Sequence, residues 1–182
     1  SSETPTFMGL PRVTKPDELK GVDAVIIGAP YVASETEQYA GVDRREWLAA
    51  PQRVRQQSIR YQSGYIQEFD LDVFDHITAV DYGDANIPEE VLNNQSPENI
   101  LRAQFAVEKK VGDALDAGAI PIVIGQNSPC GSYAIAKPIA ERSHGRVGCV
   151  SLDTHWDVQP LDHLTGDPRI AGSASWKHKM YE

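Results

Sequence analysis

An α/β fold with a mainly parallel sheet in a three-layer α/β/α arrangement is what this sequence predicts. Three observations carry that reading. Apolar, β-branched runs recur ("VDAVIIGAP" at 22–30 and "AIPIVIG" at 119–125), each flanked by glycine or proline. An amphipathic helix pattern occupies 97–117, with Ile100, Ala103, Val107, Val111 and Ala114 on one face. Strand-like and helix-like segments alternate, which right-handed crossovers turn into a parallel sheet covered on both sides.

In chain order, the opening "SSETPTFMGLPRVTKPDELKG" is broken by Pro5, Pro11 and Pro16 and reads as an arm tied down by "FMGL". Residues 22–30 read as a strand buried on both faces. The stretch 31–50 mixes aromatics and charges without period, so a long loop over one end of the sheet is expected. "APQRVRQQSIRYQ" reads as a helix with Pro51 in its first turn, and "HITAVDYGD" (76–84) as the second strand. Helix 97–117 has Ser96 as N-cap, Pro97 at its first position and Gly118 as its stop. The third strand is 119–125. "YAIAKPIAERSH" is a helix kinked or started near Pro138, and "RVGCVSLD" (146–153) is expected as the fourth strand. Ligands in such folds gather at the carboxyl ends of the strands, here 28–30, 81–84, 125–128 and 153–157.

Composition narrows the classes. A length of 182 residues fits one domain or part of a larger one, with 41% hydrophobic and 24% charged residues, ordinary values for a soluble globular chain. A formal net charge of -9 without a basic stripe argues against nucleic acid or an anionic membrane as partner. The apolar runs are too short to span a bilayer and no signal-peptide pattern opens the sequence. Cys130 and Cys149 have no metal spacing between them and read as reduced packing residues in a cytoplasmic protein.

The richest chemical cluster is "SLDTHWDV" (151–158), where Asp153, His155 and Asp157 follow one another at spacing two. In an extended or turning segment such residues project to one side, and two carboxylates with an imidazole can hold Mn²⁺, Ni²⁺ or Zn²⁺. The bland alternative is an aspartate cap and a hydrogen-bonded His–Asp pair, and spacing alone leaves the two readings level. Tyr31, Tyr39 and Trp47 could line a pocket for a cation, but packing or subunit contact accounts for them more simply. "DHLTGDPR" (162–169) is explained by its turn chemistry, and Asp81 and Asp84 read as turn and cap residues.

"SLDTHWD" resembles the Asp-x-His-x-Asp signature of the ureohydrolases, the arginase–agmatinase family. "PTFMGLP" before "VDAVIIGAP" resembles the agmatinase-type N-terminus. "APQRVRQQS" is similar to the family's Gly-Pro-x-x-Ile-Arg-x-x-Ser helix, with Pro51, Val54, Arg55 and Ser58 in register and Ala50 for the glycine. "AVDYGDANI" is similar to its second-strand segment, and "AIPIVIGQNS" falls where the family has Gly-Gly-Asp-His-Ser. The resemblance implies an arginase-like fold, of which residues 1–182 form a single domain incomplete at its C-terminus. It also implies a pair of divalent ions, Mn or Ni, that activate a bridging hydroxide against the carbon of a guanidine-type group. By the same resemblance Asp153 bridges the two ions, His155 binds one and Asp157 the other.

The sequence departs from that pattern. The family's aspartate and metal-binding histidine are Asn127 and Ser128, and a serine hydroxyl is a poor ligand for a divalent transition ion. Ala171 in "RIAGSASW" stands where the resemblance places a proton-shuttle histidine. The later Ser-x-Asp-x-Asp segment and a substrate-contacting glutamate are not in this sequence. The expectation is a non-catalytic subunit, similar to the ligand-poor partner in metformin-type hydrolases, one that can lack the family's divalent metal. It would pair with a homologous catalytic ureohydrolase subunit in a trimer- or hexamer-type hetero-oligomer acting on a small guanidino or biguanide substrate. The alternatives are an active hydrolase with a rearranged or single-metal site, and a structural or binding pseudoenzyme.

Overall fold

The computed structural model describes residues 4–34, 38–39, 41–125 and 130–182. In chain order its elements are β1 (Ala24–Ala29), β2 (Gln38–Tyr39), β3 (Val42–Asp43), α1 (Arg44–Leu48), α2 (Ala50–Ser58), β4 (Tyr65–Ile66) and β5 (Leu71–Asp72). There follow β6 (Ala79–Asp84), α3 (Glu89–Asn93), α4 (Pro97–Asp116), β7 (Ile120–Gly125), α5 (Tyr133–Arg142) and α6 (Trp176–Lys179). The main sheet is parallel in the order β6-β1-β7, with Ala24 opposite both Ala79 and Ile120. Two small antiparallel pairs, β2-β3 and β4-β5, decorate it.

Side-chain alternation along the strands sets the layers. Val25, Ile27 and Ala29 of β1 and Val80 and Tyr82 of β6 share one face, where they join Ile100, Ala103, Val107, Val111 and Ala114 of α4 in the core. Gly28 faces the other way: a Cβ there would lie 3.0 Å from Arg55 Nη1, on α2. Helix α2 therefore covers the sheet face opposite α4, and β1 is buried throughout as a central parallel strand must be. Helix α5 packs on α4, pinned by Arg142, whose Nε donates to Asp116 (2.8 Å) and whose Nη1 donates to the Pro138 carbonyl (3.1 Å). Pro138 lies inside α5 rather than at its start.

Helix α4 matches its sequence signals at both ends. Ser96 Oγ accepts from the Asn99 N–H, and Pro97 opens the helix where a missing N–H costs nothing. At the other end Gly118 adopts φ +82°, its N–H reaches Leu115 O (3.0 Å), and the Ala119 N–H reaches Ala114 O (2.9 Å). That is a Schellman closure, and it leads the chain directly into β7. Gly118→Ala should cost about 1–2 kcal/mol through left-handed strain, measurable by urea denaturation with an unchanged m-value.

The N-terminal arm is tied down as its composition predicts. Asp81 N–H donates to Pro11 O and Val13 N–H to Asp81 O, so the arm runs along the outer edge of β6. The main-chain N–H of Phe7 donates to Asp81 Oδ2 and that of Met8 to Ser58 Oγ, both at 2.7 Å.

Three expectations change. The stretch 31–50 is not all loop: it forms β2, β3 and α1, with Asp43 capping α1 by accepting from the Arg45 N–H. The helix from Ala50 ends at Ser58 rather than running on through 62. The fourth strand does not form. Residues 146–153 enter no ladder, and Val150 and Leu152 are 94% and 100% exposed. A strand of this composition gains stability only when both faces are covered. Ile120 and Ile122, on the α2 side of β7, are themselves exposed, and among the described residues no further layer lies over them. Among the described residues the outer edge of β7 is unpaired, and no helix is long and apolar enough to cross a membrane.

Candidate metal centre

The signature residues lie on an irregular segment that turns rather than extends. Asp153 Oδ1 accepts the His155 N–H (2.9 Å), an Asx-type turn that bends the chain at Thr154 and His155. Asp157 then takes φ +51°, a left-handed conformation that aspartate tolerates better than most residues. The two turns fold the segment back on itself, so that one ligand atom from each of Asp153, His155 and Asp157 lies within 4.8 Å of the others. His155 Nδ1 lies 3.3 Å from Asp153 Oδ1, an ion pair only when the ring is protonated, and 3.3 Å from Thr154 Oγ1. The His155 N–H holds the Asp153 carboxyl below the usual carboxylate value, which keeps it ionised and acceptor-only. Asp153 and His155, though not Asp157, line a cleft of about 820 Å³ together with Lys177, Met180 and Tyr181.

The far side of the cluster is anchored by α6 and the turn before it. Trp176 Nε1 donates to Asp157 Oδ2 (3.0 Å), and Lys177 Nζ stands 3.6 Å from the same oxygen. Lys177 Nζ also donates to the His155 carbonyl (3.2 Å). Main-chain bonds Lys177 N–H to Asp157 O (3.2 Å) and Gln159 N–H to Ala174 O (2.9 Å) zip the two segments together. Trp176 and Lys177 carry no sequence signal for this role; only the fold brings them to a motif some twenty residues earlier.

The donor set decides what a metal would find. One divalent ion, held at about 2.0–2.2 Å from nitrogen and oxygen donors, could draw on all three residues at the spacing seen. Among the described residues there is no comparable set for a second ion. Ala171 is fully buried beside Ile170 and brings no donor. The adjoining turn is held by Asp162, whose Oδ2 accepts from the Thr165 N–H and Oγ1, both at 2.8 Å. That arrangement explains "DHLTGDPR" as turn chemistry. Asn127 and Ser128 lie outside the described residues. Their approach is set by Gly125, where a Cβ would lie 2.6 Å from Ala29 O, so the chain leaves β7 at a point open only to glycine.

Asp81 and Asp84 are more than turn and cap residues. Asp81 is fully buried and receives Arg55 Nε (2.7 Å) and Nη2 (2.9 Å), the Phe7 N–H and the Gly83 N–H (2.9 Å). Arg55 also bonds Asp84. This network joins α2, β6 and the arm, and it occupies the carboxyl end of β6 that was a candidate ligand site. Tyr31 packs in the core and its hydroxyl donates to Gln95 Oε1 (2.7 Å), while Trp47 is half-buried in α1. The side chain of Tyr39 lies outside the described residues. Cys130 is buried, and burial pushes its thiol well above the ordinary value, so it packs as expected. Cys149 does not: it is exposed in the cleft, because the strand that would have buried it is not formed.

With fold and cluster in place, comparison with known proteins is decisive at one level. The profile of the arginase family matches residues 22–177. The chain belongs to the arginase family. It is 28% identical over 184 residues to the guanidinobutyrase of Pseudomonas aeruginosa, covering 97% of this chain and 49% of that protein. It is 31% identical over 163 residues to the proclavaminate amidinohydrolase of Streptomyces clavuligerus, covering 87% of this chain and 44% of that protein. The solved structure of proclavaminate amidinohydrolase from Streptomyces clavuligerus superposes with a TM-score of 0.73 at 25% identity, over 99% of this chain and 52% of that one. A Trypanosoma cruzi formiminoglutamase solved with Mn2+2 shares the fold (TM-score 0.70, 24% identity, 99% of this chain and 53% of that one). The arginase-family chain thus spans about half the length of the curated relatives it matches, consistent with the N-terminal part of the fold.

Proposed function

We propose that this arginase-family chain is a subunit of a metal-dependent amidinohydrolase in the cytoplasm, hydrolysing a C–N bond of a small guanidino or biguanide compound to urea or a related product and an amine. In this reading it is the non-catalytic partner of a homologous catalytic subunit in a trimer- or hexamer-type assembly, as in metformin-type hydrolases. The observation that carries the reading is the uneven state of the centre. Asp153, His155 and Asp157 converge, while Ala171, where the resemblance places a shuttle histidine, is buried.

When bound, a Mn or Ni ion would supply a polarised water near neutral pH. The residues here that would hold it are Asp153, His155 and Asp157. Asp153 brings an ionised carboxylate and His155 an exposed ring; Asp157 is the most enclosed of the three. Ala171 itself carries no group that can move a proton, and in this reading the acid–base work falls to the partner. The exposure of Ile120 and Ile122 on β7, and of Val150 and Leu152, favours a covering partner, since large apolar side chains are costly to leave in water.

The test is metal content and urea release, measured for the full polypeptide alone, for its co-encoded homologue alone and for the two together, across agmatine, guanidinobutyrate, guanidine and metformin. Turnover is expected only when the homologue is present. Turnover by this polypeptide alone would sink the partner reading and favour an active single-metal hydrolase. No turnover in any combination would favour a structural role.

A further inference from the structure

We propose that Lys177 is a built-in cation that neutralises Asp157 and restricts this centre to a single divalent ion, held chiefly by Asp153 and His155. The inference rests on the metal-centre reading above and concerns how many ions the centre takes, not whether the chain turns over substrate.

Asp157 is the most enclosed member of the cluster, with 8% of its side chain exposed, and the Lys177 side chain beside it is 19% exposed. A buried carboxylate needs both charge compensation and hydrogen bonds. Asp157 finds both on α6, and on one oxygen: the Lys177 ammonium at 3.6 Å and the Trp176 indole N–H at 3.0 Å. Lys177 is further fixed by its bond to the His155 carbonyl and by its place 5.1 Å from the Trp176 ring, within cation–π range. Its position is therefore set by three partners rather than by a loose surface pairing. An ammonium held there supplies the positive charge that a second divalent ion would have brought, and it repels any cation approaching that oxygen. Of the three side chains Lys177 pairs directly with that of Asp157: it meets His155 at the main-chain carbonyl and acts on Asp153 only through its charge, while the Asp153–His155 contacts are made within their own turn. Lysine suits the role, being a compact point charge on a long stem that needs no bidentate partner.

Lys177 is accordingly a positioning residue for the centre, and its removal should be felt as tighter metal binding. The experiment is titration of the full-length protein with Mn²⁺ alone, by calorimetry and by the electron paramagnetic resonance of bound Mn²⁺. One ion is expected in the wild type. Lys177→Met should tighten binding about ten-fold by removing the like-charge repulsion at Asp157. Lys177→Arg and Lys179→Met, the latter removing a half-buried lysine of the same helix that pairs with Glu182, should leave it unchanged. A paired comparison holds even if Lys177→Met folds poorly. Asp157→Asn should weaken Mn²⁺ binding far less than Asp153→Asn, because Asp157 is already compensated. Two ions in the wild type, no tightening in a folded Lys177→Met, equal losses in Asp157→Asn and Asp153→Asn, or no Mn²⁺ bound by wild type and variant alike would each overturn the proposal. These readouts are independent of turnover, so the single-ion inference and the partner-subunit reading fail separately.

Discussion

Arg55→Met should destabilise the protein by about 3–5 kcal/mol, the usual cost of removing one partner from a buried ion pair. For a chain of this size the melting temperature should fall by roughly 10 °C. Asp81 is completely buried, and Arg55 is only 3% exposed. Methionine fills much of the arginine's volume, so the loss is electrostatic: Asp81 keeps two backbone donors and loses the guanidinium bonded to both its oxygens. Thermal unfolding with hydrogen exchange at Phe7 and Met8 checks it, since the arm's N–H groups bond to Asp81 and to Ser58. The double variant Arg55→Met with Asp81→Leu should recover much of the loss, because no buried charge then stands alone.

The same pair fixes the acid limb of stability. Burial pushes the Asp81 carboxyl up, but the bonds from Arg55, Phe7 and Gly83 outweigh it and leave the group lower than an ordinary aspartate. A folded-state value below the unfolded one contributes stability that is fully present above the unfolded carboxylate range, about pH 4. That contribution is lost as pH falls through the lowered folded value. Wild-type stability should therefore drop steeply below about pH 4, whereas the double variant should lose less across the same window.

Trp176→Ala should cost about 3–5 kcal/mol, the range for truncating a buried tryptophan. Trp176 is almost wholly buried and also donates to Asp157. The first consequence should be local. Amide exchange at Gln159 and Lys177, whose N–H groups zip the metal segment to the turn before α6, should accelerate before the main sheet is affected. Trp176→Phe separates the two contributions, since it keeps most of the apolar burial and removes only the indole donor, a loss of about 1–3 kcal/mol. Equal protection in Trp176→Ala and wild type would show that the segment is held by something other than this side chain.

How much of this was legible in sequence differs element by element. Strands β1, β6 and β7 and helix α4 were readable because their signals are local: unbroken apolar runs, a 3.6-residue stripe, a serine cap and a glycine stop. The family was readable from motifs in the right order. The cluster of Asp153, His155 and Asp157 was visible as spacing, yet its convergence comes from an Asx-type turn and a left-handed Asp157 rather than from a strand end. The fourth strand was misread for a physical reason. "RVGCVSLD" has a strand's composition, but composition cannot say whether anything will cover it.

What the sequence by itself determined, then, is the α/β class, the main helix and its caps, and the membership of the arginase family. Those are properties of short windows. Only the tertiary structure decided that Arg55 meets Asp81 across 26 positions, that Trp176 and Lys177 hold Asp157, that Cys149 lies open while Cys130 is sealed, and that Ala171 is buried. The reason is the same in each case. Burial and charge compensation depend on what other segments bring to a residue, and no local pattern records what will arrive from a distant part of the chain.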